Sequence, residues 1–183
     1  MKRFIRFDRL LLLAIVAAVA VWPLAQLAHA GPAAPDVPTK IQVLDGSKVF
    51  LVGHAVGVQI YSCNDTSGVY SWGLVAPRAN LYGDNGQLIA THYGGPTWEA
   101  TDGSKVIGQR VDGVIVDSTA IPWLLLSAKS TTAGPDGDRL LATKDIQRLA
   151  TTGGIAPDAT TCNASTTGTT NEVPYTADYY FWK

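Results

Sequence analysis

Asp45-Gly46, Asn85-Gly86 and Asp102-Gly103 each stand between two short apolar runs. An Asx-Gly pair accepts the positive φ angles of a two-residue hairpin turn, so each predicts a pair of adjacent antiparallel strands. The runs between these turns alternate. Over 54–63, Val56, Val58 and Ile60 fall on one face, and Ala55, Gly57, Gln59 and Tyr61 on the other; this is the two-residue period of a strand. The small residues of the second face allow another element to approach closely. Further strands are expected over 41–44 and 48–52 (a hairpin about Asp45-Gly46), 69–75 before a break at Ala76-Pro77-Arg78, 79–82, 87–93, 98–101, 105–110, 111–116 and 179–182. The apolar run 120–126 suits a buried strand or a short helix, and 139–150 is ambiguous. Residues 127–138 and 151–171 read as loops. Turn signals every 8–12 residues and few stretches with helical spacing place the chain in the all-β class. A single-domain β-sandwich or a partly closed barrel with long loops accommodates it, and the pattern favours neither.

The first 30 residues differ in kind. A basic start, Met1 to Arg9, leads into an uninterrupted apolar run from Leu10 to Val21, and Ala28-His29-Ala30 forms a small-x-small site. This is the three-part layout of a secretory signal peptide over 1–30 with cleavage near Ala30. The apolar run falls short of the ~20 residues that span a bilayer, so no transmembrane anchor is expected in the mature chain. Residues 31–40 hold three prolines and read as a flexible N-terminal arm, leaving 41–183 as one β-rich domain. Removing the leader takes four basic residues and one acidic residue from totals of 14 and 15, leaving 10 against 14. A mildly acidic protein of this kind is not expected to seek nucleic acid or anionic lipid, both of which reward a basic patch. The expected location is secreted or periplasmic.

Both cysteines, Cys63 and Cys162, lie beyond the leader. In an exported domain they pair most simply with each other. Each precedes an Asn-x-Ser/Thr triplet, at Asn64 and Asn163, which in a eukaryotic host is a glycosylation acceptor and in a bacterium a polar turn.

The stretch 91–104 concentrates the polar and aromatic chemistry. It carries His92, Tyr93, Gly94-Gly95-Pro96, Trp98, Glu99 and Asp102. On a bent strand pair, His92, Glu99 and Asp102 form a candidate acid/base group, and His54 with His92 a candidate metal pair. The blander alternative has His92 bonded to a loop carbonyl and Asp102 shaping its own turn. Tyr93 and Trp98 are candidate ligand-binding residues, since aromatics on a β-sheet stack on sugar rings or line an apolar pocket. The adjacent aromatics of 179–182 must point to both faces of a strand, so one pair is exposed, covered by the Thr-rich segment, or part of an interface. Asp136-Gly137-Asp138 lacks the remainder of an EF-hand loop. Neither G-x-S-x-G nor a phosphate or dinucleotide fingerprint occurs, so the sequence identifies no cofactor.

Several motifs together resemble one known family. They are Gly57 to Cys63, Ala76-Pro77-Arg78-Ala79, His92 to Trp98, Asp102-Gly103-Ser104, Ile121 to Leu126 and Thr151 to Gly154. The chain resembles the secreted family labelled domain of unknown function 3455 over most of its mature length. The resemblance implies secretion and one common fold, and it transfers no catalytic residue. Some members carry a malate dehydrogenase label, which an exported β-domain without a dinucleotide fingerprint does not support. The expected function is therefore binding or surface interaction with a glycan, small ligand or protein partner. The alternatives are a small metal-dependent or acid/base hydrolase built on His54, His92, Glu99 and Asp102, and a structural envelope protein.

Overall fold

The computed structural model describes residues 31–183; the expected signal peptide at 1–30 lies outside the described residues. Eight strands follow one another as a meander: β1 (Val49–Thr66), β2 (Val69–Tyr82), β3 (Leu88–Tyr93), β4 (Thr97–Ala100), β5 (Lys105–Val114), β6 (Trp123–Thr132), β7 (Asp145–Gly153) and β8 (Thr170–Trp182). Each strand pairs antiparallel with the next, and β8 returns to pair with β1 from Val49 opposite Trp182 to Ser62 opposite Thr170. The ring is closed, which decides for a barrel over a sandwich and leaves the sheet without a free first or last edge. It is an irregular barrel, with register shifts at Ile60/Tyr61, Arg110/Asp112 and Leu149/Thr152.

The alternation read in β1 is present, and its small-residue face is the inner one. Ala55, Gln59, Tyr61 and Cys63 are buried, while Val56 is 59% exposed on the outer wall. The interior is filled by Trp98 of β4 and by Tyr179 and Phe181 of β8, the strand beside β1, with Leu81, Val106, Leu126 and Ile146 around them. The interior of an eight-stranded barrel is just wide enough for side chains to fill, and the small residues of β1 leave room for these large ones.

Asn85-Gly86 and Asp102-Gly103 both make hairpin turns, joining β2 to β3 and β4 to β5, with positive φ at Gly86 and Gly103. Asp45-Gly46 does not: Gly46 has positive φ, but residues 41–44 form no strand, and Ile41 ends a 3-10 turn instead. Strand β2 continues through Pro77, where a break was expected. β3 pairs with β2 only from Ala79 to Tyr82, so Pro77 sits where one side of β2 has no ladder to join. Proline is tolerated at such an edge because no partner requires its missing N–H. Strand β6 also runs into the segment expected as a loop, and the ambiguous 139–150 segment contributes most of β7.

The arm expected to be flexible lies along the outer wall. Val37 and Ile41 are buried beside Leu149, Trp123, Leu125 and Tyr180. Gln147 donates from Nε2 to the Ile41 carbonyl at 2.7 Å and accepts from Trp182 Nε1 at 3.0 Å. Lys40 reaches Asp112 at 3.0 Å. The C-terminal aromatics thus point two ways. Tyr179 and Phe181 enter the core, and Tyr180 and Trp182 lie outside it, where the N-terminal arm rather than the Thr-rich segment covers them.

Cys63 and Cys162 form a disulfide, with Cα atoms 5.3 Å apart. It fastens the end of β1 to the long β7–β8 connection. Trp72 Nε1 adds a bond to Thr161 Oγ1 at 3.0 Å.

Candidate functional site

Strand length creates the site. β3 has 6 residues and β4 has 4, whereas β2 has 14 and β5 has 10. The short hairpin ends at Gly94-Gly95-Pro96, held by the Gly108 N–H donating to the Pro96 carbonyl at 2.9 Å. β2 and β5 continue beyond it with no strand between them. The wall therefore has a notch, and a cavity of about 270 Å³ opens there. Leu74 to Pro77 of β2, the Gly94 to Pro96 turn and Arg110 form the rim; Gln59, His92, Trp98, Arg148, Leu126 and Tyr179 form the floor. Small-molecule sites favour such concave, mostly apolar hollows with a few polar groups.

His92 and Trp98 are opposed residues of β3 and β4 and share the inner face. Their rings stack at 4.3 Å and 10°, and Tyr179 meets both edge-on at 5.1 and 5.3 Å. Trp98 is 1% exposed and lines the cavity, the position of a pocket residue and not of an open stacking face. Gly108 makes this possible, since a Cβ there would lie 2.9 Å from the indole. His92 Nδ1 is 2.8 Å from the Thr97 carbonyl. A carbonyl only accepts, so Nδ1 carries the proton and Nε2 is left bare. Burial pushes the His92 pKa down to about 3, with the Arg148 cation adding to the shift against the raising effect of the Thr97 bond. The ring is neutral at physiological pH.

Two buried atoms of the floor lack a partner. Gln59 Nε2 and Trp98 Nε1 are enclosed and bond to nothing among the described residues. Orphaned buried donors are uncommon in folded proteins, because each carries its full desolvation cost. Arg148 is fixed by its Nε and Nη2 donating to the Pro122 carbonyl at 3.1 and 2.9 Å.

The other residues singled out in the sequence lie elsewhere. Glu99 follows Trp98 on β4 and so faces outward; it accepts from the Tyr93 hydroxyl at 2.7 Å and meets Lys105 at 3.3 Å. Those contacts hold the Glu99 carboxyl below its ordinary range, the Tyr93 bond foremost. Tyr93 is also on the outer wall and does not line the cavity. Asp102 lies in the β4–β5 turn at the opposite end of the barrel. It accepts from Ser104 Oγ at 2.6 Å, Ser104 N at 2.9 Å and Arg139 N at 2.9 Å, a set that anchors the β6–β7 connection. His54 stands on the outer wall between Asp178, 2.7 Å from Nδ1, and Asp84, 2.8 Å from Nε2. The acid/base group His92, Glu99 and Asp102 is therefore not assembled, nor is the His54 and His92 metal pair. Neighbours on a strand alternate sides of the wall, and the turns carrying Asp84 and Asp102 lie at the end away from the notch. Among the described residues no group of three or more His, Cys, Asp or Glu is placed to hold a metal ion.

Residues 44–183 match a family model described as protein of unknown function (DUF3455). The chain belongs to this family. No curated protein and no solved structure matches it. Among the described residues no helix is long and apolar enough to cross a membrane. The sequence singles out three residues that line this cavity, His92, Trp98 and Tyr179 of the C-terminal aromatic run, and does not mark Gln59, Arg110 or Arg148. One signal was available: Gln59 is the polar residue within an otherwise small or aromatic inward-facing series of β1.

Proposed function

We propose that this exported DUF3455 protein is a binding module that takes a small ligand into the notch between β2 and β5. The observation that supports this reading is the pair of partnerless buried nitrogens, Gln59 Nε2 and Trp98 Nε1, in the floor of one cavity. Both atoms are covered, so a ligand supplies them with acceptors where its entry turns the Gln59 amide or tilts the indole toward the hollow. The hollow is slightly below the ~300–1,000 Å³ usual for small-molecule sites, which suits a single ring or a short acyl chain rather than a polymer. A catalytic reading has less support, because the titratable groups of 91–104 are dispersed and the one histidine in the cavity has a strongly lowered pKa.

The test is a thermal-shift panel on the oxidised mature protein, with divalent metals, chelator, sugars, small carboxylates and nicotinamide cofactors. A ligand at 100 times its Kd stabilises the native state by about 2.7 kcal/mol, a rise of roughly 5–10 °C for a domain of this size. Ala76→Phe, which fills the notch from its half-buried rim, should abolish the rise. A flat panel, or a rise that survives Ala76→Phe, overturns the assignment.

A further inference from the structure

The charge of the cavity narrows the ligand class. We infer that the notch recognises a monoanionic carboxylate carried on a small apolar body, an inference that rests on the notch being a ligand site. The lining contains two arginines, Arg110 and Arg148, and no aspartate or glutamate. Among the described residues neither arginine makes an ion pair. Asp112 lies near Arg110, but its carboxylate is held by Lys40 at 3.0 Å. Three cations elsewhere carry ion pairs, Lys40, Lys105 and Arg78, the last with Glu172 at 2.6 Å; what sets the notch apart is that two arginines share one lining with no acid in it. Cations left without anions at the rim and floor of one hollow are an electrostatic preference for an anion.

The neutral groups agree with that sign. The orphaned atoms, Gln59 Nε2 and Trp98 Nε1, are both donors, and a carboxylate is an acceptor of up to about four hydrogen bonds. An arginine fork matches the plane of a carboxylate. Arg148 is already committed to Pro122 on one edge, so fewer donors remain than a dianion would require. The apolar body follows from the rest of the lining. Leu124 and Leu126 stand beside the stacked His92 and Trp98, and Leu74 and Val75 are 58% and 60% exposed at the rim.

The experiment measures binding of phenylacetate and hexanoate against phenylacetamide and hexanamide by calorimetry and tryptophan fluorescence, at pH 7.5 and low salt, with inorganic phosphate as a further probe. Each acid should bind at least tenfold more tightly than its amide. Arg110→Glu, at an exposed and unpaired position, should weaken acid binding at least tenfold while leaving the melting temperature of the free protein unchanged. Arg148→Lys should weaken it too, by removing the planar fork. Equal binding of acid and amide overturns the inference and leaves the ligand site standing. The same holds if phosphate binds as tightly as phenylacetate, or if acid affinity is unchanged in both arginine variants. No binding of any probe overturns the inference and, with a flat thermal panel, the binding module itself.

Discussion

Two histidines of similar intrinsic acidity are driven in opposite directions. His92 is enclosed, and burial lowers its pKa to about 3. The unfolded chain takes up this proton below about pH 6.5, so between that value and about pH 3 stability falls with falling pH, by up to ~1.4 kcal/mol per pH unit. His54 is raised, first by its hydrogen bond to Asp84 and then by that to Asp178. Its contribution is complete below the unfolded value near pH 6.5 and is lost as pH rises through the raised folded value. Long-range nitrogen NMR at pH 5.5 should find His54 doubly protonated and His92 as the neutral Nδ1–H tautomer. His54→Gln should lower the melting temperature at pH 5.5 and leave it unchanged at pH 9; equal losses at both would refute the assignment. Trp98→Ala should cost about 3–5 kcal/mol, as for other buried aromatics. Trp98→Phe, which keeps an aromatic ring in the stack and removes the orphaned N–H, is therefore the better probe of recognition.

Among the elements, the β1–β2 pair leaves no room for a side chain at Gly57. A Cβ there would lie 2.2 Å from the Arg78 carbonyl oxygen and 2.5 Å from the Ala79 Cα. Gly57→Ala must move backbone, so a loss at or above the ~1–3 kcal/mol of an overpacked core is expected in urea unfolding. The disulfide joins two elements 99 residues apart. In the chain-entropy view a loop of that length is worth about 4–5 kcal/mol. Replacing both cysteines with alanine should lower the melting temperature by roughly 10 °C or more. Non-reducing mass spectrometry finding two free thiols would refute the pairing. The arm is an element in its own right: Ile41→Ala removes a fully buried side chain from beneath it and should cost about 2–4 kcal/mol. An unchanged melting temperature would mean the arm adds nothing to the wall.

For the molecule as a whole, closure and the notch have the same origin. Eight strands suffice to bring β8 back to β1, but a four-residue β4 leaves part of the wall open between its longer neighbours. The outer wall carries the polar ties of Arg78 with Glu172, Glu99 with Lys105 and His54 with its two aspartates. At the notch, two arginines without an ion pair, Arg110 and Arg148, share one cavity that no acidic residue lines. A ligand there should slow hydrogen exchange of the amides around Gly94-Gly95-Pro96 more than those at the Asp102 turn, since only the former line the cavity.

The local period was legible in residues. Alternation over 54–63, the turns at Asn85-Gly86 and Asp102-Gly103 with positive φ at each glycine, and the redox pairing of two cysteines are properties of neighbours or of composition, and a linear reading reaches them. The break read at Pro77 was a correct signal assigned to the wrong cause: it marks the free side of β2 at the notch, not the end of the strand. Facing was not legible, because a period of two is the same whichever side becomes the interior. Nor was the fate of Trp98, whose exposure turns on a glycine ten residues away making room for its ring. By itself the sequence determined an all-β chain with its turns and its crosslink. Only the tertiary structure decided the closed ring, the docked arm, and the meeting of Gln59, His92, Trp98, Arg110 and Arg148 at one notch. These residues come from β1, β3, β4, β5 and β7, and nothing short of closing the barrel brings five separate strands around one cavity.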